Sequence, residues 1–233
     1  TRKAIELNPN LANAHSNLGG ILIEFGNLIQ AESSYRKAIE LKPDFAEAHL
    51  NLGLVLNDIG KSQEAFDSYI KVIDINPKHS NVFPLVTLFL YNSDPSQLNK
   101  SKLKKILNIL IEKNDVNHND FLFKAFNFAY KQELLDNIKQ SDSILLKNKI
   151  FPGFMNNKFI INSIKKIIFK DPHWELMLTK LRKNVCELIA SQKVELKNWE
   201  LKALFALAHQ CFSNEYIYSI SKEETKSLEK IKS

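Results

Sequence analysis

From Arg2 to His79 the apolar positions return every 34 residues, and much of the polar sequence between them returns with them. Arg2-Lys3-Ala4-Ile5-Glu6-Leu7 comes back unchanged as Arg36-Lys37-Ala38-Ile39-Glu40-Leu41, and Pro9 comes back as Pro43 and Pro77. Ala14-His15 with Asn17-Leu18-Gly19 comes back as Ala48-His49 with Asn51-Leu52-Gly53. Large apolar residues three and four apart mark one face of a helix. Gly26 and Gly60 stand where a first helix should end, and the prolines stand where a second should end. Each period therefore predicts two antiparallel helices. The small residues Gly19, Ala31 and Ala38 mark their close approach, and Leu18, Leu22, Tyr35, Ile39 and Leu41 fill the space between them. Gly53 and Ala65, with Leu52, Leu56, Tyr69, Ile73 and Ile75, repeat the arrangement, while Val72 replaces the alanine of Ala4 and Ala38. Extra volume at a close helix contact costs about 1–3 kcal/mol, so looser packing is expected there.

The pattern changes after Pro77. A helix is expected from Pro84, because proline is tolerated in a first turn. Asp94-Pro95-Ser96-Gln97 predicts another start, with Asp94 as N-cap and Gln97 reaching back, and Leu98, Leu103, Ile106, Leu107, Leu110 and Ile111 give that helix an apolar stripe down to Lys113. Asn114 to Asp120 reads as a loop. Phe121, Phe123, Phe126, Phe128 and Tyr130 alternate as a strand would, but Leu122, Ala125 and Ala129 fill helical positions and no partner strand is at hand, so helix is predicted. Ser141 to Asn148 reads as a short helix and Phe151-Pro152-Gly153 as a turn. Phe159, Ile160, Ile164, Ile167 and Ile168 make one apolar face. Asp171-Pro172 opens a helix with Trp174, Leu178, Leu181, Val185 and Leu188 inward. A further helix over Trp199 to Ile220 carries Leu201, Leu204, Phe205, Ala208 and Phe212, and Ser221-Lys222-Glu223-Glu224 is a capping box for a last, charged one.

A 34-residue period with this punctuation resembles the tetratricopeptide repeat, a helical hairpin that stacks into a solenoid. The resemblance implies an all-α fold, with a half repeat over residues 1–10, full repeats over 11–44 and 45–79, and a less regular helical domain over 80–233. Since a half repeat leaves an apolar face uncovered, further repeats upstream are expected. The later region carries a second resemblance. Asp171-Pro172-His173-Trp174 with Leu178-Thr179-Lys180-Leu181-Arg182, and Ala206-Leu207-Ala208-His209-Gln210-Cys211-Phe212-Ser213-Asn214-Glu215-Tyr216, look like the helical segment of bacterial proteins, marine cyanobacterial ones among them, in which repeats precede an S-adenosylmethionine-dependent methyltransferase domain. That resemblance implies a linker to a further domain beyond Ser233. The chain itself has no Gly-rich strand-to-helix turn to hold such a cofactor.

Composition narrows the function. At 44% hydrophobic and 25% charged the chain reads as an ordinary soluble protein, and no apolar run approaches the roughly 18 residues of a membrane helix. Cys186 and Cys211 stand in no ligand spacing and read as two reduced thiols, which points to the cytoplasm. Residues 1–80 hold 8 Lys/Arg against 10 Asp/Glu and the rest hold 24 against 16, so the basic half is the later one. Its clusters, Lys100, Lys102, Lys104 and Lys105 or Lys165 and Lys166, could meet phosphates. With one arginine (Arg182) and no interleaved aromatics, solvated helix faces are the default reading and nucleic-acid binding ranks last.

No catalytic constellation is visible. His209 and Cys211, two apart on a helix, point to different faces and cannot serve as base and nucleophile. His15 and His49 read as packing residues at a wet edge. No metal-ligand spacing and no cofactor motif stands out. What remains is the inner face of the solenoid, which by the repeat register holds Asn13, Ser16, Asn17, Gly20, Ile23 and Glu24, then Glu47, Leu50, Asn51, Leu54, Asn57 and Asp58. Asn17 and Asn51 form a ladder of amides one repeat apart, and an amide can pair with both donors and acceptors of an extended peptide backbone. The repeats resemble those of O-linked N-acetylglucosamine transferases, which carry such ladders. They do not match the clamp of chaperone-binding repeats, whose places hold Ser16, Leu50, Gly20 and Leu54. A scaffold that holds an extended protein segment is therefore the first expectation, the substrate-presenting part of a larger methyltransferase or other transferase the second, and nucleic-acid binding the third.

Overall fold

The structure, a computed structural model, describes residues 1–79, 81–113, 120–139, 157–167 and 171–190 and positions 201, 202, 205, 206 and 208. The expected elements at 114–119, 141–148, 151–153 and 221–224, and most of 199–220, lie outside the described residues. The protein is all-α, and every element among the described residues is a helix. The chain divides into two compact units, Thr1–Ile106 and Leu107–Ser233.

The first unit opens with α1 (Arg2–Leu7), α2 (Ala12–Glu24), α3 (Leu28–Leu41), α4 (Ala46–Asp58) and α5 (Ser62–Ile75), which pack in sequence as the 34-residue period requires. Each hairpin turns on a glycine in the left-handed region, Gly26 at φ 73° and Gly60 at φ 79°. There the amide of Asn27 bonds to the Leu22 carbonyl and that of Lys61 to the Leu56 carbonyl, both at 2.8 Å, which closes the helix ends with paired carbonyls. Close approach is set by the other glycines. A Cβ on Gly19 would lie 2.8 Å from the Tyr35 ring and one on Gly53 would lie 2.6 Å from Tyr69, so the aromatic ring of each second helix lies where the first helix has no side chain. Leu22, Ala31, Tyr35, Ala38, Leu52, Leu56, Ala65, Tyr69, Val72 and Ile73 are buried, whereas Leu18, Ile39 and Leu41 are only half-buried. His15 and His49 do more than fill an edge: their Nε2 atoms lie 2.9 Å from the Pro9 carbonyl and 3.0 Å from the Pro43 carbonyl and so tie each first helix to the turn before it.

Beyond the repeats, α6 (Val82–Asn92) begins two residues before Pro84, which sits at its third position. The missing N–H still costs nothing there, because the first turn has no carbonyl to bond to. Phe89 of α6 stacks on Phe66 at 5.9 Å and meets Tyr69 edge-on at 5.6 Å. The single helix expected from Asp94 to Lys113 is two elements, a 3-10 turn at Pro95–Gln97 and α7 (Lys100–Glu112). Asp94 caps the turn: its carboxylate accepts from the Ser96 amide at 2.9 Å and hydroxyl at 2.7 Å, and its carbonyl accepts from the Gln97 amide at 3.1 Å. Leu98 is extended and buried, and Asn99 supplies the second cap by accepting from the Lys102 amide at 3.0 Å. Chain that is extended to bury Leu98 cannot also continue a helix, which is why a second start is needed.

In the second unit, α8 (Asp120–Lys139) confirms the helical reading of the aromatic run. Phe126 contacts Tyr130, Phe159 and Trp174 with centroids 5.1, 5.6 and 4.9 Å apart, tying α8 to α9 (Lys158–Lys166) and α10 (Pro172–Ala190). Phe159, Ile160, Ile164, Ile167, Trp174 and Leu178 are buried as expected. The Lys166 ammonium bonds the Ile111 carbonyl at 2.8 Å and so caps the end of α7. Leu201, Phe205 and Ala208 are exposed and Ala206 is buried.

Candidate functional site

The two first helices of the repeats, α2 and α4, bring most of the expected inner-face residues together. Asn13, Ser16, Asn17, Gly20 and Glu24 of α2 and Glu47 and Asn51 of α4 line one groove of about 830 Å³. Leu50, Leu54, Asn57 and Asp58 are not among its lining residues, nor is Ile23. Leu50 is buried, Leu54 half-buried, and Asn57 and Asp58 are exposed at the end of α4. Asp58 faces the Tyr69 hydroxyl closely enough to add to the effect of burial, which pushes that phenol up to about 12.

The structure adds Thr1, Ile21, Tyr35 and Phe45 to the lining. Tyr35 reaches the groove because Gly20 stands over its hydroxyl: a Cβ on Gly20 would lie 3.7 Å from that oxygen. The Gly19-Gly20 doublet, where the next unit has Gly53-Leu54, is the sequence signal that could have placed Tyr35 there. Burial raises the Tyr35 pKa, so the phenol is neutral and able both to donate and to accept.

The ladder residues are unspent. Among the described residues neither the Asn17 nor the Asn51 amide has a hydrogen-bond partner, with Asn17 exposed and Asn51 half-buried. A second cavity in this unit, of about 490 Å³, is lined by Arg36, His49, Glu64, Asp67 and Lys71 among others, and the first four of these are hydrogen-bonded or ion-paired. There Arg36 Nε bonds Glu32 at 2.9 Å, its guanidinium also pairs with Glu64, and Asp67 accepts from Gln63 and Lys102 at 2.7 and 2.8 Å. Burial also lowers the pKa of His49, whose ring is bonded to a carbonyl. Polar groups already paired with one another hold the fold together, while unpaired ones in a groove are available to a second molecule.

Among the described residues no group of three or more His, Cys, Asp or Glu is placed to hold a metal ion, and no helix is long and apolar enough to cross a membrane. Of the lysines that could meet phosphates, Lys102 and Lys105 pair with Asp67 at 2.8 Å and Asp74 at 2.6 Å. Asp171, Trp174 and Leu178 occupy the start of α10, and most of residues 206–216 lie outside the described residues.

Comparison with known families agrees with the period. A family model described as TPR repeat matches residues 21–60, and one described as Tetratricopeptide repeat matches residues 46–79. No curated protein matches the chain. The helical hairpins, the left-handed glycines that end their first helices and these two matches agree: residues 21–79 are similar to tetratricopeptide repeats.

Proposed function

We propose that this chain is a non-catalytic scaffold whose α2–α4 groove holds an extended segment of a protein partner, with Asn17 and Asn51 pairing to its backbone. The observation behind the reading is the pair of amides one repeat apart, both without hydrogen-bond partners among the described residues, on or facing a groove of about 830 Å³. Backbone recognition of this kind grips a strand while reading few of its side chains. The second reading, presentation of substrate to a methyltransferase domain, has only the sequence resemblance of residues 171–182 and 206–216 behind it, and it is compatible with the first.

The experiment is selection of binders from an unbiased displayed library of short peptides, followed by calorimetric titration of the tightest one. Each amide lost removes bonds of about 0.5–1.5 kcal/mol, so Asn17→Ala with Asn51→Ala is expected to weaken binding by about 1–3 kcal/mol in all. The melting temperature should hardly change, because alanine is the better helix former and neither amide is bonded within the fold. Unchanged affinity in the double variant would remove the ladder from the account, and a large fall in melting temperature would make the asparagines structural.

A further inference from the structure

We infer that the groove takes an extended segment with two basic side chains about five residues apart, one directed to Glu24 and the other to Glu47. The inference rests on the groove reading above and adds the chemistry of the occupant. Glu24 and Glu47 are exposed and line the groove, and among its described lining residues there is no lysine or arginine. Thr1 lines it as well, and with its amino group acetylated the side chains leave only negative charge, which attracts a ligand of the opposite sign.

The two carboxylates do not stand alone. Ser16 is 8% exposed and Tyr35 1% exposed, both line the groove, and among the described residues neither hydroxyl has a hydrogen-bond partner. Other buried serines of the repeats behave differently: Ser34 and Ser68 donate to the carbonyls of Gln30 and Glu64 on their own helices, each at 2.9 Å. In the next unit the equivalent places hold Leu50 and Leu54, so this polar floor occurs once, under Gly20. Both hydroxyls open into the groove, where they can donate to the C=O groups and accept from the N–H groups of an extended segment.

Position sets the spacing. By the register Glu47 takes the place of Asn13 in the first turn of α4, whereas Glu24 is the last residue of α2. First helices of successive hairpins run the same way, so the carboxylates lie at opposite ends of the groove, about 16 Å apart along the helices at about 1.5 Å per residue. Neighbouring axes add about 8–10 Å across. An extended chain covers the resulting ~19 Å in about six residues, and the reach of lysine or arginine side chains brings the requirement to about five.

The test is fluorescence anisotropy of the full chain, acetylated at Thr1 so that its amino group carries no charge, with labelled Ser/Gly/Thr peptides of about twelve residues that span the groove. One peptide has two lysines five apart, a second has them adjacent, and a third has glutamines in their place. The spaced-lysine peptide is expected to bind at least threefold tighter than the other two. Glu24→Gln and Glu47→Gln should each remove about two- to fivefold at low salt and less at high salt, as exposed charge pairs do. Gly20→Leu copies Leu54 and improves helix propensity, and its Cβ makes only an ordinary contact with Tyr35; it should keep the melting temperature and weaken the spaced-lysine peptide at least tenfold. Glutamine peptides bound as tightly as lysine peptides, and weakened by Asn17→Ala with Asn51→Ala, would overturn the cation preference and leave the groove reading standing. A lysine preference that survives both Glu→Gln changes would overturn it as well. If no peptide of any charge binds, both readings fall.

Discussion

Gly19 and Gly20 are neighbours on one helix, and alanine should have opposite effects at the two. At Gly19 the new Cβ would sit 2.8 Å from a Tyr35 ring that is itself 1% exposed and has no room to retreat. Overpacking of this kind costs about 1–3 kcal/mol, more than the roughly 1 kcal/mol that alanine gains over glycine in a helix. At Gly20 the nearest atom is 3.7 Å away, so only the gain remains. Urea unfolding should show a lower midpoint for Gly19→Ala and an equal or higher one for Gly20→Ala. Gly53→Ala should follow Gly19→Ala, with Tyr69 Cε1 only 2.6 Å from the new carbon. Asp171 supports a prediction about pH. Burial pushes its carboxyl up, but hydrogen bonds from Lys131 and from the His173 amide and ring outweigh burial and bring it down to about 2. A carboxyl lowered by folding contributes stability above its unfolded pKa of about 3.9, and that contribution is lost as the pH falls through about 2. Asp171→Asn should therefore cost about 1–2 kcal/mol near neutral pH, after allowance for solvent screening, with the deficit shrinking between about pH 4 and pH 2. Unfolding curves of the two chains across that range check it.

At the scale of elements, Glu32 is the joint between hairpins. Its carboxylate on α3 accepts from Lys61 at 2.9 Å, just before α5, and from Arg36 at 2.9 Å, and Arg36 in turn pairs with Glu64 of α5. Burial pushes Glu32 up and the two cations more than reverse that, so its pKa is lowered and the joint weakens as the pH falls below the ordinary glutamate range. Lys61 and Arg36 are about half exposed and can return to water, which limits the loss in Glu32→Ala to about 1–2 kcal/mol. A double-mutant cycle with Lys61→Ala should show coupling, and additive losses would contradict the joint. These elements were legible because the period repeats both the apolar positions and the glycine stops, so each hairpin is specified twice. The break at Leu98 was not. Asp94-Pro95 announces a helix start correctly, but nothing local tells a turn from a long helix when burial of one leucine decides, and only the Asn99 cap hints at the second start.

For the molecule as a whole, the sequence carried the all-α fold and the seven residues that line the groove together with Thr1, Ile21, Tyr35 and Phe45. It did not carry the floor of that groove, because Tyr35 reads as a core residue by period and becomes accessible only through the missing side chain at Gly20. Nor could it separate polar groups that hold the repeats together, such as Glu32 and His49, from those left unpaired, such as Asn17, Asn51 and Ser16; the distinction lies in how the chain folds back, bringing Lys61 to Glu32 and the Pro43 carbonyl to His49. The central claim is that the unpaired set is the binding surface. The most direct measurement is nuclear magnetic resonance of the side-chain amide groups of Asn17 and Asn51, assigned by their alanine variants, during titration with the tightest peptide from the unbiased library. The account predicts that both amide pairs shift in step with the same binding curve while the ring signals of His15 and His49 stay in place. Binding that moves signals of Arg36, Glu64 and Lys71 around the second cavity and leaves both asparagine amides unmoved would contradict it.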